Sequence, residues 1–181
     1  MAIRRKKANK ETLLRRAHLG NLDNAEDLLN LARQNNIKTA PLDIEALIKL
    51  LGVEMRKEDN LESDVSGKLT RENDTWICIV NANHHPTRQR FTMAHELAHY
   101  VLHRNEQTEF VDHTYFRAVD NANPMEFEAN AFAGSLLMPK MDFKHFIINT
   151  STDVEKLAEH FGVSPIAVRV RAKQLGFIEG K

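Results

Sequence analysis

The apolar positions of the chain fall into blocks of two different periods. Between Leu22 and Arg33, residues Leu22, Ala25, Leu28, Leu29 and Ala32 recur at intervals of three and four, the spacing of one buried helical face. Asn35-Asn36 marks the end of that block. Pro41 opens a second helical block through Ile44, Leu47, Ile48 and Leu51, and Gly52 supplies its C-terminal stop. The period then shortens. Val53-Glu54-Met55 and Gly67-Lys68-Leu69 read as short strands, with a polar loop from Glu58 to Ser66 between them. Thr75 to Val80 (TWICIV), β-branched and aromatic between polar flanks, is the strongest strand. A helix resumes with Thr87 as N-cap and runs to about Leu102. Residues 104–122 carry no period and are expected to form a long loop. Asn123-Pro124 starts another helix, which Pro139 closes after Leu136-Leu137-Met138. Met141 to Ile148, Asp153 to Phe161 and Pro165 to Leu175 follow as three helices, the last two joined by Gly162-Val163-Ser164.

This order predicts an α+β fold: helices, a small mixed sheet, a central helix, then a C-terminal helical unit. Three parts are expected, a basic arm over 1–20, the principal domain over 21–148 and a helix-turn-helix-like tail over 149–181. A length of 181 residues suits one domain with a small appendage. Lysine plus arginine (25) balances aspartate plus glutamate (25), which argues against a uniformly basic nucleic-acid binder. The basic cluster of residues 1–16 (Arg4, Arg5, Lys6, Lys7, Lys10, Arg15, Arg16) reads as a solubilising end or an arm steering toward nucleic acid. Cys78 is the single cysteine, which excludes an internal disulfide, fits a reducing compartment and reads as a buried inert thiol. No apolar run approaches the ~20 residues that cross a bilayer. The basic N-terminus also lacks the apolar stretch of a secretory signal, so a soluble cytoplasmic protein is expected.

Nine histidines change the picture. His95-Glu96-Leu97-Ala98-His99 is an HExxH pattern, expected in a shuffled chain of this composition only ~0.04 times. Side chains four apart lie within roughly 40° on one helix face, so both imidazoles reach one ion, while Glu96, offset by about 100°, sits beside it. The surrounding helix is apolar, and histidines in such a setting need partners. A catalytic metal site needs a third protein ligand and an open position. Leu102 and Asn105 stand where a metzincin has glycine and histidine, so that class is excluded. His103, two turns beyond His95, is too far to share its ion and reads as a structural or outer histidine. Glu126 is the expected third ligand. It shares a face with Ala129, Asn130, Ala133 and Leu137, small enough for close helix approach, and Glu128 is the reserve. Asn130 is placed to hydrogen-bond a ligating imidazole. The competing reading makes Glu126 half of an Asn123-x-x-Glu126 capping box.

The stretches RQRFTMAHELAHYVLH (88–103) and EFEANAFAGSLLMP (126–139) resemble the ImmA/IrrE-type zinc metallopeptidases, a gluzincin-like group. ALIKLLGVEM (46–55), SGKLT (66–70) and WICIVNANHHP (76–86) are similar to the same family's N-terminal half. The resemblance implies a zincin-like fold, Zn²⁺ held by His95, His99 and Glu126, and Glu96 as general base. Ala98 departs from the glycine common there. The implied activity is an endopeptidase cleaving a helix-turn-helix transcriptional repressor. Rival readings are a DNA- or partner-binding regulator with a structural metal, and a toxin-like peptidase. His85, His113, Tyr115 and Arg117 are the candidates for stabilising the charge of the transition state. TWICIV is a candidate edge for binding an extended substrate. Leu157 to Val168 has the glycine turn and apolar spacing of a helix-turn-helix, followed by Arg169, Arg171 and Lys173. Those charges alternate with Val168, Val170 and Ala172, so DNA binding is not favoured.

Overall fold

A computed structural model describes residues 22–113 and 123–178. The expected basic arm over 1–20, and Tyr115 and Arg117, lie outside the described residues. Helix α1 (Ala25–Gln34) is capped by Asn24, whose side chain accepts from the Asp27 amide, and buries Ala25, Leu28, Leu29 and Ala32. Helix α2 (Ile44–Leu50) starts later than expected. Asp43 caps it by accepting from the Ala46 amide, and Pro41 stands ahead of the cap.

Four strands follow in the spatial order β1-β3-β2-β4. Strand β1 (Glu54–Glu58) runs parallel to β3 (Thr75–Asn81), and β2 (Val65–Glu72) is antiparallel to both β3 and β4 (Glu109–His113). Asn73 and Asp74, at φ of 46° and 67°, form the two-residue turn between β2 and β3. The structure corrects two expectations. TWICIV is not an edge: β3 is paired on both sides, so no extended peptide can add to it. The stretch expected as one long loop contains β4, which closes the sheet against β2.

Helix α3 (Pro86–Leu102) lies between the sheet and helix α4 (Pro124–Leu137). Every residue from Thr92 to Val101 is buried, as expected for a helix covered on all sides. Two sequence devices permit this. Ala94 and Ala98 of α3 and Ala129 and Ala133 of α4 are all fully buried, so the two backbones can approach closely. On the sheet side, a Cβ at Gly67 would sit 2.3 Å from Thr92 Cγ2 and 2.9 Å from the Ile79 carbonyl, so only glycine fits under α3.

Helices α5 (Lys140–Asn149), α6 (Val154–Phe161) and α7 (Pro165–Gln174) complete the described chain. Gly162, left-handed at φ 64°, ends α6, and Ser164 caps α7. Leu157, Phe161, Val163 and Val168 of this unit join the same hydrophobic cluster as Leu28, Leu97 and Leu136. Arg90 of α3 donates to the carbonyls of Leu42 and Gly162, and Arg171 of α7 donates to that of Met138. Among the described residues no helix is long and apolar enough to cross a membrane.

Candidate metal centre

Helix α3 brings His95 and His99 onto one face, one turn apart, with their Nε2 atoms 3.1 Å from each other. Helix α4 delivers Glu126 to the same point: Oε2 lies 3.1 Å from His95 Nε2, and Oε1 lies 3.2 Å from His99 Nε2. One donor atom from each residue falls within 4.8 Å of the others, a grouping able to hold a metal ion. The capping alternative for Glu126 fails. Asn123 Oδ1 accepts from the Met125 amide, while the Glu126 carboxylate turns to the histidines.

Outer hydrogen bonds decide where the imidazole protons sit. Asn130 Oδ1, an acceptor, is 3.1 Å from His95 Nδ1, so that nitrogen carries the proton and Nε2 of the neutral ring is a lone pair. His103 Nε2 is 3.2 Å from Glu128 Oε2 and donates to it, which leaves Nδ1 of a neutral His103 as an acceptor. His99 Nδ1, 3.0 Å from His103 Nδ1, donates in turn, and its Nε2 is also a lone pair. Two lone pairs and a carboxylate therefore converge with no proton of the neutral rings between them. A cation would resolve this arrangement. Zinc bonds of about 2.0–2.1 Å to N and O give tetrahedral ligand–ligand edges of roughly 3.3 Å. The separations of 3.1, 3.1 and 3.2 Å fit such an ion without rearrangement.

Burial shapes the electrostatics. His95, Glu96 and His99 are buried. Burial holds the His99 imidazole below its ordinary pKa, against the raising effect of Glu126. Burial opposes ionisation of Glu126, but the His95 and His99 rings, which donate to its carboxylate whenever Nε2 carries a proton, outweigh it and hold the carboxyl well below the usual range. Phe110 of β4 stacks on the His99 ring, centroids 4.5 Å apart, and so limits its rotation. Glu96 projects toward the sheet, where a Cβ on Gly67 would come within 3.2 Å of its Oε1.

The remaining expectations divide. His103 is an outer histidine, as its spacing implied, and Glu128 serves it rather than the centre. His85 is the N-cap of α3 with Nδ1 on Thr87, roughly 15 Å of helix rise from His95, so it takes no part in the centre. His113 pairs with Asp64, and strand alternation puts it on the opposite face of β4 from Phe110. Phe110 was missed because its strand was hidden in the aperiodic stretch, and the alternation of Phe110 and Asp112 was its one signal. Arg171 is buried on the Met138 carbonyl, while Arg169 and Lys173 are exposed, so the three charges do not share one face, as their alternation implied. A groove of about 540 Å³ opens elsewhere, lined by Leu102, Phe127, Glu128, Phe132, Lys140 and Arg171.

An HExxH helix crossing a small mixed sheet, with a third donor from the following helix, defines an α+β protein of the HExxH class. The model of Peptidase_M78, described as the IrrE N-terminal-like domain, matches residues 48–173, and the chain belongs to that family. It is 29% identical over 104 residues to "Uncharacterized immunity region protein 2" of Bacillus phage phi105, a match covering 58% of this chain and 63% of that protein. In fold it is similar to a solved Mycobacterium tuberculosis transcriptional regulator, with TM-score 0.59 and 21% identity over 82% of this chain and 46% of that one. The chain thus spans less than two thirds of either relative.

Proposed function

We propose that the chain is a zinc-dependent endopeptidase that hydrolyses a peptide bond in one specific protein, a helix-turn-helix transcriptional repressor. The observation that carries the reading is the convergence of two imidazole lone pairs and the Glu126 carboxylate at 3.1–3.2 Å. Membership of a peptidase family supports it, and the phage relative's name, an immunity region protein, fits a regulatory substrate.

Zinc held by His95, His99 and Glu126 would supply Lewis-acid polarisation of a peptide carbonyl and acidify a water beside it. Glu96, next to His95 on the same helix, accepts the proton of the attacking water. It delivers that proton to the leaving amine as the C–N bond breaks, so one water is added across the peptide bond. His99 and His95 keep their outer protons throughout, held by His103 and Asn130. In this reading residues 21–148 carry the chemistry, while 149–181 form a unit for packing or substrate docking. Loss of Arg171 from the α7 surface disfavours DNA as its partner. Cys78, the only cysteine among the 181 residues, supports a cytoplasmic setting.

The test is co-expression with candidate helix-turn-helix repressors of the host, beginning with any encoded beside the gene. The parent should generate a repressor fragment. Glu96→Gln should bind zinc like the parent and cleave about 10²–10⁴-fold more slowly. If Glu96→Gln relieves repression as well as the parent does, the regulator reading replaces the peptidase. A fragment from a housekeeping protein in place of the repressor would mark a toxin-like peptidase.

A further inference from the structure

His103 and Glu128 are left over once the three donors and Glu96 are assigned, yet they are linked to the centre by an unbroken chain. His99 Nδ1 lies 3.0 Å from His103 Nδ1, and His103 Nε2 lies 3.2 Å from Glu128 Oε2. The His103 ring is buried, and Phe110 borders it as well as His99, with centroids 6.2 and 4.5 Å away. Phe110 thus fixes two consecutive links. The chain spans three elements: both rings sit at the C-terminal end of α3, the carboxylate on α4, and the aromatic wall on β4. His95 has a simpler support, the single amide oxygen of Asn130.

We infer that His103 and Glu128 are positioning residues which, through the relay Glu128–His103–His99, fix the tautomer and orientation of one zinc ligand. The inference rests on the metal reading above and adds residues to it. A histidine can donate from only one nitrogen while neutral. If His99 carried its proton on Nε2, that proton would point into the donor triangle and block the ion. Glu128 prevents this at a distance of two hydrogen bonds: it draws the His103 proton to Nε2, which leaves Nδ1 free to accept the His99 proton. Glu128 is 61% exposed while His103 is 3% exposed, so water can take over part of the outer link and none of the inner one. The two residues should therefore contribute unequally.

The experiment measures Zn²⁺ affinity of the full chain by competition with a chromophoric chelator, beside the visible spectrum of the Co²⁺-loaded protein. His103→Phe keeps an aromatic ring beside Phe110 and removes the acceptor; its zinc affinity should fall about ten- to a hundredfold. His103→Gln restores an acceptor oxygen and should recover part of that loss. Glu128→Leu, a change at an exposed position, should weaken binding by a smaller factor and shift the Co²⁺ bands in the same direction as His103→Phe. A purely structural His103 would lower the metal-free melting point and leave affinity per folded chain unmoved, which overturns the relay. Parental affinity and an unshifted Co²⁺ spectrum in Glu128→Leu overturn it too, even if His103→Phe fails to fold. A parent chain that takes up no Zn²⁺ overturns the metal reading itself, and the relay with it.

Discussion

Glu126 and Glu128 stand two positions apart on one helix and do different work, because each residue turns the helix by about 100°. Glu126 faces the imidazole pair, and Glu128 faces the outer histidine. Helical phase and the small-residue stripe beside Glu126 made this division legible in the sequence. The partner of Glu128 was not, since it required the relative placement of α3 and α4. Glu126→Gln should lose zinc by more than the roughly hundredfold typical of changes to outer partners. Glu128→Gln, whose amide oxygen still accepts from His103, should stay close to the parent, and titration against a chelator separates the two. Acid acts on the same residues. The Glu126 carboxyl is held well below the usual range, so it stays charged when the histidines begin to protonate. Burial holds His99 below its ordinary value, so its neutral form survives to lower pH than that of a free histidine. Zinc affinity should be nearly level above about pH 6.5 and fall on acidification below it. A level profile down to pH 4 would argue against histidine ligation. Cys78 is a separate case: burial, aided by the charge of Glu96, pushes its thiol well above the ordinary range. The native protein should resist a disulfide reagent at pH 8 under conditions that label the unfolded chain completely.

At the scale of elements, the helices and three of the four strands were readable, and the fourth strand was not. Several helices declare themselves through their ends: Gly162 stops α6, and Pro124 and Pro139 bracket α4. TWICIV was legible as a strand, but its place was misread. Ile77, Cys78, Ile79 and Val80 are buried in succession, the mark of a strand covered on both faces, and that mark argues for the middle of a sheet. β4 escaped because five residues with alternating burial are too few to stand out from a polar stretch. Gly67 shows how a sheet and a helix can be fitted together by one missing side chain. Gly67→Ala should destabilise the fold by about 1–3 kcal/mol through overpacking against Thr92 and the Ile79 carbonyl. Urea denaturation measures the loss. The same added methyl crowds Glu96, so hydrolysis should fall by more than zinc binding does.

For the whole molecule, the central helix is held from several directions at once. The sheet lies on one side and α4 on another, and Arg90 ties α3 to both the Leu42 and Gly162 carbonyls. Arg90→Met leaves those carbonyls without the guanidinium and should cost about 1.5–3 kcal/mol. Unfolding should nonetheless remain a single transition, because α6 and α7 share one hydrophobic cluster with α3 and α4. Metal should add to this stability. Free Zn²⁺ at a hundred times its dissociation constant should stabilise the folded chain by about 2.7 kcal/mol, reversed by a chelator and seen as a shift in melting temperature.

X-ray absorption at the zinc edge of the loaded protein addresses the donor triangle itself. The account predicts one zinc per chain with a shell of about four nitrogen and oxygen atoms near 2.0–2.1 Å, imidazole scattering beyond it and no sulfur. The Glu126→Gln and His99→Phe variants should lose that spectrum. An ion with only hydration-like oxygens, or one that survives both substitutions unchanged, would contradict it.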